Sequence, residues 1–302
     1  MRTQKTLDFS TESKHVVALG CFDGVHLGHA SLIRAAKEIS LQSRCPLAVF
    51  CFEEPPRNFF AKQEIPILTP PNEKKRLLKN LGTDLLISVR FNEKIASLEA
   101  EQFFEQVLIE RLHASHIVCG FNYRFGKNGS GDIAMLKVLC KKIGIELSVL
   151  PPVTLDGVAV SSSEIRRLLS EGDIKQANRL LCRPYSIRAE VINGQHLGRT
   201  LGFPTVNQLF PKNSTPLKNG VYLTRVRIGR GVKRAITNVG VRPTVDGSTL
   251  CAETNIFDFD GDLYGKLLRV EFLDFIRPEQ KFNSIDELRA RVLADIELAK
   301  SK

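Results

Sequence analysis

The chain has 302 residues, 43% of them hydrophobic and 25% charged, with a formal net charge of +10. That length makes two domains the default expectation, and that composition excludes a disordered chain. The basic excess suits small phosphorylated ligands; with aromatics at only 7% and no long run of like charge, nucleic acid is not expected as a partner.

Along the first half, short apolar runs at 16–19, 47–52, 85–89, 117–119 and 145–150 predict buried parallel strands. Between them, 30–40, 73–81, 98–112 and 132–143 carry apolar residues at helical spacing. Repeated strand and helix in this order predicts an α/β doubly wound, Rossmann-like sheet. Two short helices follow, one opened by the serine run Ser161 to Ser163 and one over 174–181. From Pro184 onward the period changes to that of strands, at 186–192, 221–228, 232–237, 250–257 and 267–272. This predicts an antiparallel β-barrel, closed by an amphipathic C-terminal helix over 285–298. The expected domains are 1–182 and 183–302.

Seven cysteines form no CxxC pair, which points to a reducing compartment. The N-terminus has no apolar leader, and no segment approaches about 18 uncharged apolar residues. A cytoplasmic protein without a membrane partner is therefore expected.

The densest chemical signal is Gly20-Cys21-Phe22-Asp23-Gly24-Val25-His26-Leu27-Gly28-His29, where the first strand turns into the first helix. Ligands bind at that place in a doubly wound sheet. Glycines let backbone approach a phosphate, and a helix start adds amide donors and the positive end of a dipole. His26 and His29, three apart, face the same way. The alternatives are half a metal site or a packed core pair; a metal would need a third ligand, and none stands in a comparable position, so phosphate binding is preferred.

This stretch resembles the HxGH signature of the nucleotidylyltransferase superfamily, in the longer GxFDGVHxGH form of its FAD synthetase branch. Gly120-Phe121-Asn122-Tyr123-Arg124-Phe125-Gly126 and Ser161-Ser162-Ser163-Glu164-Ile165-Arg166 resemble that family's second motif and its SSxxIR segment. The resemblance implies that FMN phosphate attacks the α-phosphate of ATP and expels pyrophosphate. It implies a nucleotide site from Gly20, Phe22, Asp23, Gly24 and Gly28, with His26 and His29 stabilising charge on the phosphates. Asn122 would lie near the α/β phosphates, and Ser162, Ser163 and Arg166 would grip the triphosphate. Such transfers need positioning and charge neutralisation more than covalent participation. Without the resemblance, the serines read as a helix cap and Arg166 as a solvated side chain. Glu54-Pro55-Pro56 stands where the family often has Pro-His-Pro, and Cys182 where it has glycine.

In the second half, Gly198-Arg199-Thr200-Leu201-Gly202-Phe203-Pro204-Thr205-Val206-Asn207 resembles the GRxLGFPTAN motif of riboflavin kinases. Thr205 and Asn207 offer hard oxygen ligands two residues apart, suited to Mg²⁺. The resemblance also implies that Gly198, Gly202 and Pro204 of this loop are cofactor-binding residues. Glu253 stands at the position of the family's catalytic glutamate, which implies a general base on the riboflavin 5′-hydroxyl. Read alone, Thr205 and Asn207 are an ordinary proline-started turn, and Glu253 is an exposed strand carboxylate. Asn255 replaces a usual histidine and Val206 a usual alanine.

The whole pattern is similar to the bifunctional riboflavin kinase/FMN adenylyltransferase family. It implies riboflavin, FMN and ATP as substrates, ATP as co-substrate at both sites, and a divalent cation. The alternative is a riboflavin kinase whose first domain has an impaired adenylyltransferase activity.

Overall fold

The computed structural model describes residues 1–60, 64–194, 202–229, 231–244 and 247–301. Packing divides the chain into two compact units, Met1–Ser162 and Ser163–Lys302.

The first unit is an α/β sheet of six parallel strands: β1 (Arg2–Gln4), β2 (His15–Leu19), β3 (Leu47–Phe52), β4 (Leu85–Val89), β5 (Ala114–Gly120) and β6 (Glu146–Leu150). Their spatial order is β1-β4-β3-β2-β5-β6. Side chains alternate across the sheet, and here both faces are covered, as parallel sheets require. Val17, Leu19, Phe50 and Ile87 fill one core; Val16, Ala18, Val49 and Leu86 fill the other. The helices are α1 (Leu27–Ser43), α2 (Arg57–Phe60), α3 (Pro71–Asn80), α4 (Glu93–Ala96), α5 (Ala100–Phe103) and α6 (Ile133–Ile143); a small hairpin of β7 (Thr154–Leu155) and β8 (Val158–Ala159) follows β6.

Two elements differ from the periodicity. β1 lines the sheet edge beside β4, pairing Arg2 with Leu85, and its polar residues carry no strand signal. The helix expected over 98–112 is present as α5 running directly into a π-helical turn, Phe104–Ile109, and starts one residue or more late. The reason is a fresh helix start: the Glu99 N–H donates to Gln102 Oε1 at 3.0 Å, half of a capping box, so Leu98 lies outside the helix.

The second unit begins with α7 (Ser162–Glu171), whose first residue still counts with the first unit, and α8 (Ile174–Leu181). Then come β9 (Tyr185–Glu190), β10 (Val206–Leu209), β11 (Gly220–Ile228), β12 (Gly231–Thr244), β13 (Gly247–Ile256), β14 (Leu267–Pro278) and α9 (Ile285–Ser301). By packing, the units divide at Ser162/Ser163. The reason is that α8 belongs with the strands that follow it: Asn178 Nδ2 donates to the Phe272 carbonyl at 2.8 Å, and its Oδ1 accepts from the Tyr185 N–H at 2.7 Å.

The six strands form an antiparallel sheet in the order β10-β13-β12-β11-β14-β9. It curls back on itself, because the Ile192 N–H just beyond β9 donates to the Asn207 carbonyl of β10 at 2.8 Å. The result is a near-barrel. Its interior holds Tyr222 and Phe272, edge to face at 5.3 Å, and a chain of threonine hydroxyls: Thr224 to Thr237 at 2.8 Å and Thr237 to Thr254 at 2.9 Å. All three threonines are fully buried, so each hydroxyl must find its partner in this chain.

The outer face of β11 and β12 packs under α9 through Val221, Leu223, Ile236, Ile296 and Ala299. The helix is pinned there by an ion pair of Arg277 with Asp295, Nη2 to Oδ2 2.7 Å, with side chains 10% and 3% exposed. Removing one partner strands a buried charge, so Asp295→Ala should lower the unfolding free energy by about 3–5 kcal/mol, read by chemical denaturation.

Candidate functional sites

The chain reverses direction across the first sheet between β2 and β5, which are hydrogen-bonded neighbours. The crevice beyond their carboxyl ends is where a doubly wound fold binds ligands. Two predicted segments lead into it. Gly20 to Val25 follows β2, and Gly120 to Asn122 follows β5, with Asn122 exposed.

The β2–α1 turn is tight and unusual. Phe22, Gly24 and Val25 all have positive φ, at 50°, 86° and 40°. A β-branched residue rarely holds that conformation, and such strain persists only where surroundings over-determine it. Three contacts do so. The Asp23 carboxylate accepts N–H bonds from Leu68 at 3.0 Å and Thr69 at 3.1 Å. Ser162 Oγ donates to the Asp23 carbonyl at 2.8 Å. The Phe22 ring is buried in the core and tilts against His29 at 5.2 Å. Phe22 and Asp23 therefore shape the turn from inside, and what Phe22 can offer a ligand is backbone.

His26 caps α1: its Nδ1 accepts from the His29 N–H at 3.3 Å. The cap fixes the ring, and the two imidazoles stack with centroids 3.6 Å apart. Gly28 sits beneath them, where an added Cβ would come within 3.3 Å of the His26 ring. The arrangement presents two adjacent imidazoles and a helix N-terminus at one mouth, suited to an anionic oxygen. Ser163 is exposed and Arg166 half-buried on α7, inside the second compact unit.

Sequence reasoning missed Lys74. Its side chain points into the first unit, only 3% exposed, and its ammonium donates to the carbonyls of Phe52 at 3.0 Å, Glu53 at 3.1 Å and Cys21 at 3.4 Å. The signal was present: Lys74 lies four residues before buried Leu78, on the core stripe of α3, where an apolar residue is expected.

In the second unit the register assembles the site. Asn207 of β10 is paired with Glu253 of β13, Glu253 with Asn238 of β12, Asn238 with Val221 of β11, and Val221 with Arg277 of β14. Directly opposed residues of antiparallel strands share a face. These five side chains thus form one row around the outside of the barrel, while Thr254 beside Glu253 points inward. Glu253, Asn238, Val221, Arg277 and Thr205 line a cavity of about 270 Å³.

Burial pushes the Glu253 carboxyl above the usual carboxylate range; Arg242 opposes this and Glu279 adds to it. By surface area the residue is exposed, so the carboxylate is only partly desolvated and is open to the cavity. Asn207 is buried and presses on Gly194, where an added Cβ would lie 2.3 Å from its amide nitrogen. Only glycine leaves room there. Asn255 holds the loop by donating to the Pro204 carbonyl at 2.8 Å. Gly202, at φ +90° and exposed, turns the chain into that loop; Gly198 lies outside the described residues.

Among the described residues, no cluster of three or more His, Cys, Asp or Glu could hold a metal ion. A cation here would have to use neutral oxygens and a substrate phosphate. The Thr205 hydroxyl and Asn207 amide, beside the Glu253 carboxylate, fit that description for Mg²⁺.

Known proteins are similar to this chain over nearly its whole length. Residues 8–164 match the family described as FAD synthetase, and residues 181–302 match riboflavin kinase. The chain is 36% identical over 287 residues to the bifunctional riboflavin kinase/FMN adenylyltransferase of Haemophilus influenzae, covering 94% of this chain and 93% of that one. It is 37% identical over 290 residues to the Bacillus subtilis protein of the same description, covering 94% and 91%. The chain belongs to this bifunctional family. A crystal structure from Streptococcus pneumoniae, described as a macrolide-efflux protein, is 35% identical with a TM-score of 0.91, covering 99% of this chain and 98% of that one. Among the described residues of the present chain, no helix is long and apolar enough to cross a membrane. This family member carries an FAD synthetase domain followed by a riboflavin kinase domain.

Proposed function

We propose that the chain makes FMN from riboflavin in its second unit and FAD from FMN in its first, using ATP both times. In the first reaction the riboflavin 5′-hydroxyl oxygen attacks the γ-phosphorus of ATP, its proton passes to Glu253, and ADP departs. A base held within hydrogen-bond reach contributes about 10²- to 10⁴-fold in rate. The observation that carries this half is the register that sets Glu253 between Asn207 and Asn238, with Glu253 and Asn238 in the cavity wall. Thr205 and Asn207 would hold a divalent cation, which supplies charge neutralisation to the phosphates. In the second reaction an FMN phosphate oxygen attacks the α-phosphorus of ATP and pyrophosphate departs. The paired imidazoles of His26 and His29 and the amides at the start of α1 stabilise the charge on the transferring phosphates. The same reading places the protein in the cytoplasm.

A second reading rests on Glu54-Pro55-Pro56, which offers no histidine after β3: a kinase with an impaired adenylyltransferase. Incubating the protein with riboflavin, ATP and Mg²⁺ and resolving flavins over time separates the two. FMN should appear first and FAD should follow from it. FMN that accumulates without FAD, even when FMN is supplied directly, selects the second reading; no FMN at all refutes both.

A further inference from the structure

Two local rules are broken at Lys74. It stands in the first turn of α3, where a cation opposes the helix dipole, and it occupies the core stripe, where a charge must be desolvated. No carboxylate compensates it among the described residues. Its three N–H donors instead meet three carbonyls from two separate loops: Cys21 at the β2–α1 turn, and Phe52 and Glu53 where β3 ends. An ammonium offers three donors, so the set is complete. Just upstream, Leu68 and Thr69 give their N–H groups to the Asp23 carboxylate of the same turn. The segment leading into α3 therefore holds the turn through both of its polar ends, the Cys21 carbonyl and the Asp23 carboxylate.

We propose that Lys74 is a positioning residue for adenylyl transfer, keeping the strained turn from Cys21 to His26 in its phosphate-accepting shape and setting a fixed positive charge directly beneath it. It touches neither reacting atom. Its effect runs through the turn backbone: pulling the Cys21 carbonyl inward leaves the following amides and the imidazoles facing the crevice. By gripping Phe52 and Glu53 it also fixes where the chain enters Glu54-Pro55-Pro56, so the two walls of the crevice are referenced to one atom. The role rests on the adenylyltransferase assignment above.

The test is Lys74→Met in the full-length chain, with exposed Lys75→Met as control. A displacement of the turn by about 1 Å is expected to lower kcat for FAD formation from FMN by about 10²-fold. The KM for ATP in that reaction should rise as well, since the turn binds its phosphates. FMN formation from riboflavin should stay at the level of the control. A merely structural role would scale FAD formation with the folded fraction and leave the KM for ATP unchanged, and that result overturns the proposal, as does full activity in the variant. Hydrogen exchange of the backbone amides gives a readout independent of FAD synthesis. Peptides covering 20–29 should exchange faster in Lys74→Met while those of the barrel do not; unchanged exchange refutes the role of Lys74 even if the wild-type chain makes no FAD. Should Lys74→Met fail to fold, exchange in the wild-type chain decides: peptides covering 20–29, 52–54 and 66–76 should open together, and independent opening refutes the clamp.

Discussion

Replacing His29 with alanine is expected to slow FAD formation from FMN by about 10²-fold or more, the scale of a lost charge-stabilising donor. FMN formation from riboflavin should be untouched. The selectivity follows from where the ring lies. His29 stacks on His26 and leans on Phe22, at the β2–α1 turn and the start of α1, whereas the described residues that line the Glu253 cavity fall between 203 and 295. The His29 backbone N–H makes the bond to the His26 cap, and alanine keeps it. Separate steady-state assays of the two steps check this. Equal loss of both activities would contradict two independent sites.

Glu253→Gln should have the opposite selectivity. It keeps shape and hydrogen bonding but cannot accept the riboflavin proton, so kinase turnover is expected to fall by about 10²- to 10⁴-fold. FAD formation from supplied FMN should persist. The pH profile adds a second test. The base works as the carboxylate, and burial raises the pH at which that carboxylate gains its proton. Kinase rate should therefore decline on acidification at a pH above that of an ordinary glutamate, and the acid limb should vanish in Glu253→Gln. A wild-type acid limb at the ordinary carboxylate value, or turnover within a few fold in the variant, would remove Glu253 from the role.

Much of this was legible in one dimension because it is local. The central strands β2, β3 and β4 of the first sheet are buried on both faces, so they read as unbroken apolar runs, and the HxGH turn is contiguous from the end of β2 into α1. What escaped is what depends on distant partners. β1 is three polar residues that become a strand only by pairing with β4. Lys74 looks like surface until Phe52, Glu53 and Cys21 turn their carbonyls toward it. Asp23 sits inside a phosphate-binding motif, yet its carboxylate faces Leu68 and Thr69, more than forty residues away in sequence. Glu253 could be found by motif, but its setting between Asn207 and Asn238 is a matter of strand register. The helix expected over 98–112 is present from 100 to 109, but its start at Glu99 and its π-helical second half are concealed within a continuous apolar pattern.

The hydroxyl that Ser162 gives to the Asp23 carbonyl links the last residue of the first unit to one of its earliest turns. During translation, then, the sheet can be laid down strand by strand while that turn still lacks one of its ties. The turn acquires the tie only as Ser162 clears the ribosome, with most of the second unit still unmade. The barrel repeats the pattern, because its opening strand β9 finds its hydrogen-bonded neighbour in the final strand, β14. Each site is thus a late event in the synthesis of its own unit, and a chain halted partway carries recognisable motifs without a finished pocket.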